Sequence, residues 1–226
     1  MQEQTEVRGD SNQRTGRSLG IGDDEVVLTF VGRLVLEKGL EHFAKVHHLL
    51  TERGVAHRFL VVGEGPARAK IGEWAPDAIL TGFQDGEDLA RAYASSDIFF
   101  NPSITEAFGN VTVEAMASGV PPVCSRTAGH VSMLDEGKTG FLTTPDNVAE
   151  AADRIAALAL DPGLRQRVGT AAREASQRFR WDTVMNNIYS YYMDAVQGHP
   201  VPVTTSASAL QDNAEAYSHG LSKTGT

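Results

Sequence analysis

Residues 26–66 read VVLTFVGRLVLEKGLEHFAKVHHLLTERGVAHRFLVVGEGP, and this stretch decides the fold. It opens on a β-branched run, Val26–Val31, and closes on a second apolar run, Arg58–Val62. Between them, Glu37–Arg53 carries apolar residues at Leu40, Phe43, Val46 or His47, and Leu50, and ends at Gly54. That spacing gives a helix one apolar face, and the glycine supplies its stop signal. Strand, helix, strand is a βαβ unit, whose crossover makes the two strands parallel.

Working outward, the alternation continues. Short strands are expected at Ala78–Thr81, Asp97–Asn101, Pro121–Ser125 and Gly140–Thr143. Helical patterns intervene at Gly86–Ala94, Val111–Ser118 and His130–Glu136. Three more close the series near Asn147–Leu160, Gly163–Arg178 and Asp182–Val196. Pro66, after the turn Gly63-Glu64-Gly65, suits the first position of a helix. Strands of this length alternating with helices predict a Rossmann-like three-layer α/β/α sandwich with a parallel sheet. It would occupy 25–197, after a polar lead-in at 1–24 and before a disordered tail at 198–226 that is poor in large apolar residues. Ligands on such sheets bind beyond the carboxyl ends of the strands, which singles out the loops after Val31, Val62, Thr81 and Asn101.

Composition narrows the function. The chain has 226 residues, 41% of them hydrophobic and 22% charged, enough for one core and ordinary for a soluble domain. No apolar run approaches the length of a membrane span, and the polar start lacks the apolar region of a signal peptide. A lone cysteine, Cys124, cannot form an internal disulfide. A reducing cytoplasm is therefore the expected compartment, with Cys124 as a small buried hydrophobe. A net charge of −9 argues against nucleic acid and anionic membrane as partners. Any anionic ligand must then be held by a few local cations and backbone amides.

Two loops supply them. Gly32–Gly39 sets Arg33 and Lys38 at the entrance to a helix, a receptor suited to a diphosphate, although surface cations near helix ends are common. The second loop, Pro102–Gly119, follows a strand and opens a helix at Gly109-Asn110. The amides of Phe108, Gly109, Asn110 and Val111 would point out of that helix start toward an anion. Glu106 lies just before it and Glu114 one turn inside. Carboxylates there are poor phosphate ligands and good acceptors for sugar hydroxyls. Alone, each acid has a plain explanation, Glu106 as an exposed loop acid and Glu114 as a first-turn acid facing the helix dipole. Together around one helix start they do not.

Other motifs point nowhere. Gly137-Lys138-Thr139 mimics the end of a P-loop, but Ser132 stands where its first glycine belongs. Gly63-x-Gly65 lacks the third glycine of a dinucleotide fingerprint. Asp85-Gly86-Glu87-Asp88 reads as a helix cap, and no metal site is expected. His47-His48 falls on a helix, at the surface or half-buried.

The pair Glu106-x7-Glu114 within TEAFGNVTVEAMASGVP resembles the E-x7-E signature of retaining glycosyltransferase family 4. VGRLVLEKG (31–39), VVGEGP (61–66), LTGF (80–83) and YASSDIFFNPS (93–103) resemble that family's other blocks in the same order, so the likeness covers roughly residues 19–193. It implies the C-terminal, donor-binding half of a GT-B fold and the transfer of a hexose from a UDP-, GDP- or ADP-sugar. It implies retention of anomeric configuration without a metal or cofactor. Carried onto this sequence, Arg33 and Lys38 would neutralise the diphosphate, Glu106 would contact the hexose, and Glu114 would hold ribose hydroxyls. Phe108, Gly109, Asn110 and Val111 would bind sugar and phosphate through their amides. Gly63 and Gly65 would let the backbone approach the donor, and Gly82 and Phe83 would lie near the base.

The sequence departs from the pattern at Pro121-Pro122, where the family tends to Pro-Val, and at Thr127-Ala128-Gly129-His130, in place of a Gly-Gly turn. The resemblance also implies an N-terminal Rossmann domain, or a partner subunit, that would complete the acceptor site and leave this chain inactive alone. The acceptor is not named by any residue here, and the full-length enzyme is open to a peripheral membrane position. Trp181, Val184, Met185, Ile188 and Tyr192 form one apolar face on the last helix, expected to be partly exposed or covered by a second chain through self-association. A non-catalytic nucleotide-sugar-binding module fits the same residues. A sugar-nucleotide epimerase or another Rossmann-like regulator fits the block order poorly.

Overall fold

The computed structural model describes Ile21 and residues 25–197; the expected lead-in, Ile21 and residue 25 onward aside, and the expected tail lie outside the described residues. These fall into two compact units, divided between Ser176 and Gln177.

The first unit is built on six strands: β1 (Val27–Val31), β2 (Arg58–Val62), β3 (Ile79–Gly82), β4 (Ile98–Asn101), β5 (Pro122–Ser125) and β6 (Phe141–Thr143). All pair in parallel, in the order β3-β2-β1-β4-β5-β6. Its helices are α1 (Leu40–Glu52), α2 (Arg68–Trp74), α3 (Gly86–Ala94), α4 (Asn110–Ala117), α5 (Ala128–Met133), α6 (Val148–Leu160) and α7 (Pro162–Ser176). This is the expected α/β class.

Alternation along β1 shows how the layers form. Leu28 and Phe30 enter one core with Phe43 and Leu50 of α1, Ile71 of α2 and Ile155 of α6. Val27 and Val31 enter a second core on the opposite face, with Ala92 and Tyr93 of α3 and Ala115 of α4. Phe43 anchors the first core: its ring centroid lies 3.8 Å from Phe59, 5.4 Å from Phe30 and 5.9 Å from Phe100. Buried polar groups are matched. Ser96 donates to the Ala92 carbonyl at 2.7 Å, so the Thr29 hydroxyl, 2.6 Å away, donates to Ser96.

Some expectations need correction. Pro66 does not start a helix; it sits in a turn, because the Ala67 amide bonds the Leu34 carbonyl at 2.9 Å, and α2 begins at Arg68. The helix expected over Glu37–Arg53 is interrupted at Gly39, which takes φ 74° and separates a 3₁₀ turn (Leu36–Lys38) from α1. His47 is buried rather than at the surface or half-buried. His57 donates its Nδ1 proton to the Val55 carbonyl at 2.8 Å, and its Nε2 lies 2.9 Å from His47 Nδ1, whose other nitrogen lies 2.9 Å from Asp77 Oδ1. Asp85 occupies the cap of α3, but its carboxylate makes no cap bond, while Glu87 and Asp88 pair with Arg91. Cys124 is fully buried, as expected.

The second unit holds a 3₁₀ turn, Gln177–Phe179, and α8 (Trp181–Val196). Taken by itself, α8 leaves Trp181, Met185, Ile188 and Tyr192 exposed, with none of its residues buried. Among the described residues no helix is long and apolar enough to cross a membrane.

Candidate functional site

The strand order reverses between β1 and β4. Strands β2 and β3 build outward from β1 on one side, and the chain then returns to lay β4 on the other. Loops leaving β1 and β4 therefore part at the carboxyl edge of the sheet, which is where such folds hold ligands. An open cavity of about 270 Å³ lies there. It is lined by Phe30, Val31, Gly32 and Lys38 from β1 and its loop, and by Asn101, Glu106 and Phe108–Val111 from β4 and its loop.

Six of the residues singled out from sequence thus meet in one cleft: Lys38, Glu106, Phe108, Gly109, Asn110 and Val111. Lys38 Nζ lies 2.7 Å from Glu106 Oε2, with side chains 28% and 14% exposed. Gly109 takes φ 84°, ends the polar loop and caps α4 without any side-chain bond. A Cβ there would come within 3.1 Å of Glu106 and 3.4 Å of His130. The Thr112 amide bonds the Gly109 carbonyl at 2.9 Å, and the amides before it have no intrahelical acceptor.

The other six do not line this cavity. Arg33 is exposed, and its side chain pairs with no described residue. Gly63 and Gly65 are held against the β1 loop: a Cβ at Gly63 would stand 1.9 Å from the Gly32 carbonyl oxygen, and one at Gly65 2.4 Å from that of Leu34. Gly82 extends the same seam, its carbonyl accepting from the Gly63 amide at 2.8 Å, and Phe83 beside it is 71% exposed. Glu114 stands outside the cavity on the exposed side of α4, within 2.9 Å of the Tyr93 hydroxyl.

Beneath the cleft lies a polar floor that sequence reasoning missed. His130, fully buried, donates from Nδ1 to the Ser125 carbonyl at 2.8 Å. Its Nε2 then accepts, from Asn101 Nδ2 at 3.2 Å and Thr112 Oγ1 at 3.3 Å. Burial, the largest influence, lowers its pKa and keeps the ring neutral. Asn101 Oδ1 in turn accepts from the Ser103 amide at 3.1 Å, which shapes the first turn of the loop carrying Glu106. The signal was faint: Asn101 ends a strand, and His130 stood only as a departure from a Gly-Gly turn. Among the described residues, no cluster of His, Cys, Asp or Glu could hold a metal ion.

Fold and cleft define a Rossmann-like α/β domain with a helix start and a lysine at its switch point. A family model described as glycosyl transferases group 1 matches residues 11–175, and the chain belongs to that family. It is 35% identical over 176 residues to the sulfoquinovosyl transferase SQD2 of Arabidopsis thaliana, covering 75% of this chain and 34% of that protein. To a GDP-mannose-dependent alpha-mannosyltransferase of Corynebacterium glutamicum it is 33% identical over 183 residues, covering 79% and 42%. A solved structure of the Anabaena protein HepE with UDP and glucose superposes with a TM-score of 0.71 at 24% identity, over 80% of this chain and 51% of that one. The chain spans between a third and a half of the length of these curated relatives. Its solved neighbours share the fold of GT-B glycosyltransferases.

Proposed function

We propose that this chain binds the nucleotide-sugar donor of a retaining, metal-independent glycosyltransferase of family 4 type, which moves a hexose from a UDP-, GDP- or ADP-sugar to an acceptor. The observation that carries the reading is the meeting of Lys38, Glu106 and the start of α4 in one cleft of about 270 Å³. A relative that uses GDP-mannose and a neighbour crystallised with UDP and glucose support a nucleotide-sugar ligand.

In this reading the ammonium of Lys38 and the backbone amides at the start of α4 hold the diphosphate. They gain strength as charge develops on the leaving nucleoside diphosphate, which lowers the barrier and not only the ground state. Arg33, unpaired with any described residue, turns in to share that charge. Glu106 accepts from hexose hydroxyls and fixes the sugar against the phosphate, while Glu114 accepts from ribose hydroxyls. Gly63, Gly65 and Gly82 keep the neighbouring loops narrow, and Phe83 offers an exposed ring beside the base. A second Rossmann domain, in the same polypeptide or on a partner subunit, supplies the acceptor site, and this segment binds donor without turning it over alone.

A thermal-shift panel tests the proposal. UDP, GDP or ADP at about 1 mM should raise the melting temperature, since a ligand bound only to the native state adds stability by mass action. Lys38→Ala and Glu114→Ala should each abolish most of the shift. If no nucleoside diphosphate moves the melting temperature, the donor site is wrongly placed. Turnover of a nucleotide sugar by the chain alone would instead remove its dependence on a second domain.

A further inference from the structure

We propose that Tyr93 is a positioning residue for Glu114, holding one carboxylate oxygen so that the other is presented in a fixed place to the hydroxyls of a bound ribose. The inference rests on the nucleotide-sugar reading and sharpens it.

Tyr93 belongs to α3, and its hydroxyl meets α4. The residue is 2% exposed, packed with Val27, Val31, Leu60 and Phe99 on one face of the sheet. Its hydroxyl lies 2.9 Å from Glu114 Oε2 and 3.0 Å from the Val111 carbonyl. One proton serves one acceptor at a time, and a carboxylate is the stronger of the two. Burial first, and the Glu114 carboxylate next, push the phenol above its ordinary range, so it remains a donor at every working pH.

Glu114 is otherwise exposed. A glutamate in that setting samples many rotamers and loses that freedom when it grips a ligand. The Tyr93 bond removes much of this freedom beforehand, because the phenol is itself fixed by the core. It occupies one oxygen only, which leaves the second with its lone pairs for an incoming hydroxyl. Val111 and Glu114 lie three residues apart on one face of α4, so the Val111 carbonyl is the alternative acceptor when Glu114 swings away.

The test uses Tyr93→Phe, which keeps the ring and deletes the hydroxyl. Calorimetric titrations of the full chain would compare UDP, GDP and ADP with their 2′- and 3′-deoxy counterparts. The expected result is that ribonucleotide affinity falls about 3- to 10-fold, the worth of one hydrogen bond, while deoxynucleotide affinity holds. In a Glu114→Ala background the same substitution should have no further effect. Equal loss for both nucleotide types, no loss for either, or an undiminished effect without Glu114 would overturn the positioning role. A wild-type chain that binds no nucleotide, or binds ribo- and deoxynucleotides alike, would overturn the underlying reading and this inference with it.

Discussion

Lys38 and Glu106, 68 residues apart in sequence, face each other across the cleft at 2.7 Å. A diphosphate that reaches Lys38 therefore competes with a carboxylate already in place. Pairs this accessible contribute at most about 1 kcal/mol. Glu106→Gln should thus tighten binding of free UDP or GDP by about 2- to 5-fold, while Lys38→Ala weakens it at least about tenfold. Titration calorimetry at low and high salt reads both, and weaker nucleotide binding by Glu106→Gln would contradict the competition.

Gly129 presses on the loop that carries Glu106. A Cβ there would stand 2.8 Å from the Ala107 carbonyl carbon and from the Glu106 carbonyl oxygen. Backbone atoms cannot swing aside as a side-chain tip can, so the loop itself must move. Gly129→Ala should cost about 1–3 kcal/mol of stability and also weaken nucleotide-sugar binding. Chemical denaturation and titration together check it, and a variant of native stability and affinity would refute the contact.

Three imidazoles, those of His42, His57 and His130, have pKa values lowered from 6.5, with burial the leading cause in each. The unfolded chain then binds protons that the folded chain refuses. Stability contributed this way is complete above 6.5 and is lost as pH falls below it toward the lowered folded values. Each such group can contribute up to about 1.4 kcal/mol per pH unit in that window. The carboxylates of Glu150, which accepts from the Thr144 amide, and of Asp77, beside His47, are also lowered and act in a separate range below 4.5. Urea denaturation between about pH 7.5 and 5.5 should show falling stability, and a flat profile would count against neutral buried histidines.

Cys124 is fully buried, and burial raises its thiol to about 12. The thiolate, which is the reactive form, is therefore scarce at neutral pH. A thiol reagent should label the native chain only as fast as it opens, and the urea-unfolded chain at once. Rapid labelling of the native chain would show that the strand bearing Cys124 is more open than described.

The fold was legible because it is local. The β1 alternation of Leu28 and Phe30 against Val27 and Val31, and the glycine after α1, announce a strand and a helix within a few residues of themselves. Lys38, Glu106 and the start of α4 were legible for a related reason: each sits in a loop leaving a strand, and a parallel sheet gathers such loops at one edge. What stayed hidden depends on which helix lies beside which. Nothing near Tyr93 in sequence announces Glu114, since α3 and α4 must first pack on the same face. The relay through His57, His47 and Asp77 likewise joins three segments, and it turned two adjacent histidines on a helix into one buried and one accessible. Pro66 misled because a long-range bond, Ala67 to Leu34, overrode a local preference.

The seam between the β1 and β2 loops has a bearing on how such a site changes over generations. Gly32, Leu34, Gly63 and Gly65 are stitched by backbone alone, with the Gly32 amide on the Val62 carbonyl at 3.0 Å and the Leu34 amide on that of Glu64 at 2.9 Å. At Gly63 and Gly65 any larger residue meets a carbonyl oxygen, so these positions are closed to drift. Substitution is then tolerated at neighbours whose side chains stand clear of the seam, such as the exposed Arg33 and Phe83. The two loops are thus fixed against each other by backbone geometry, and side-chain change falls around the seam.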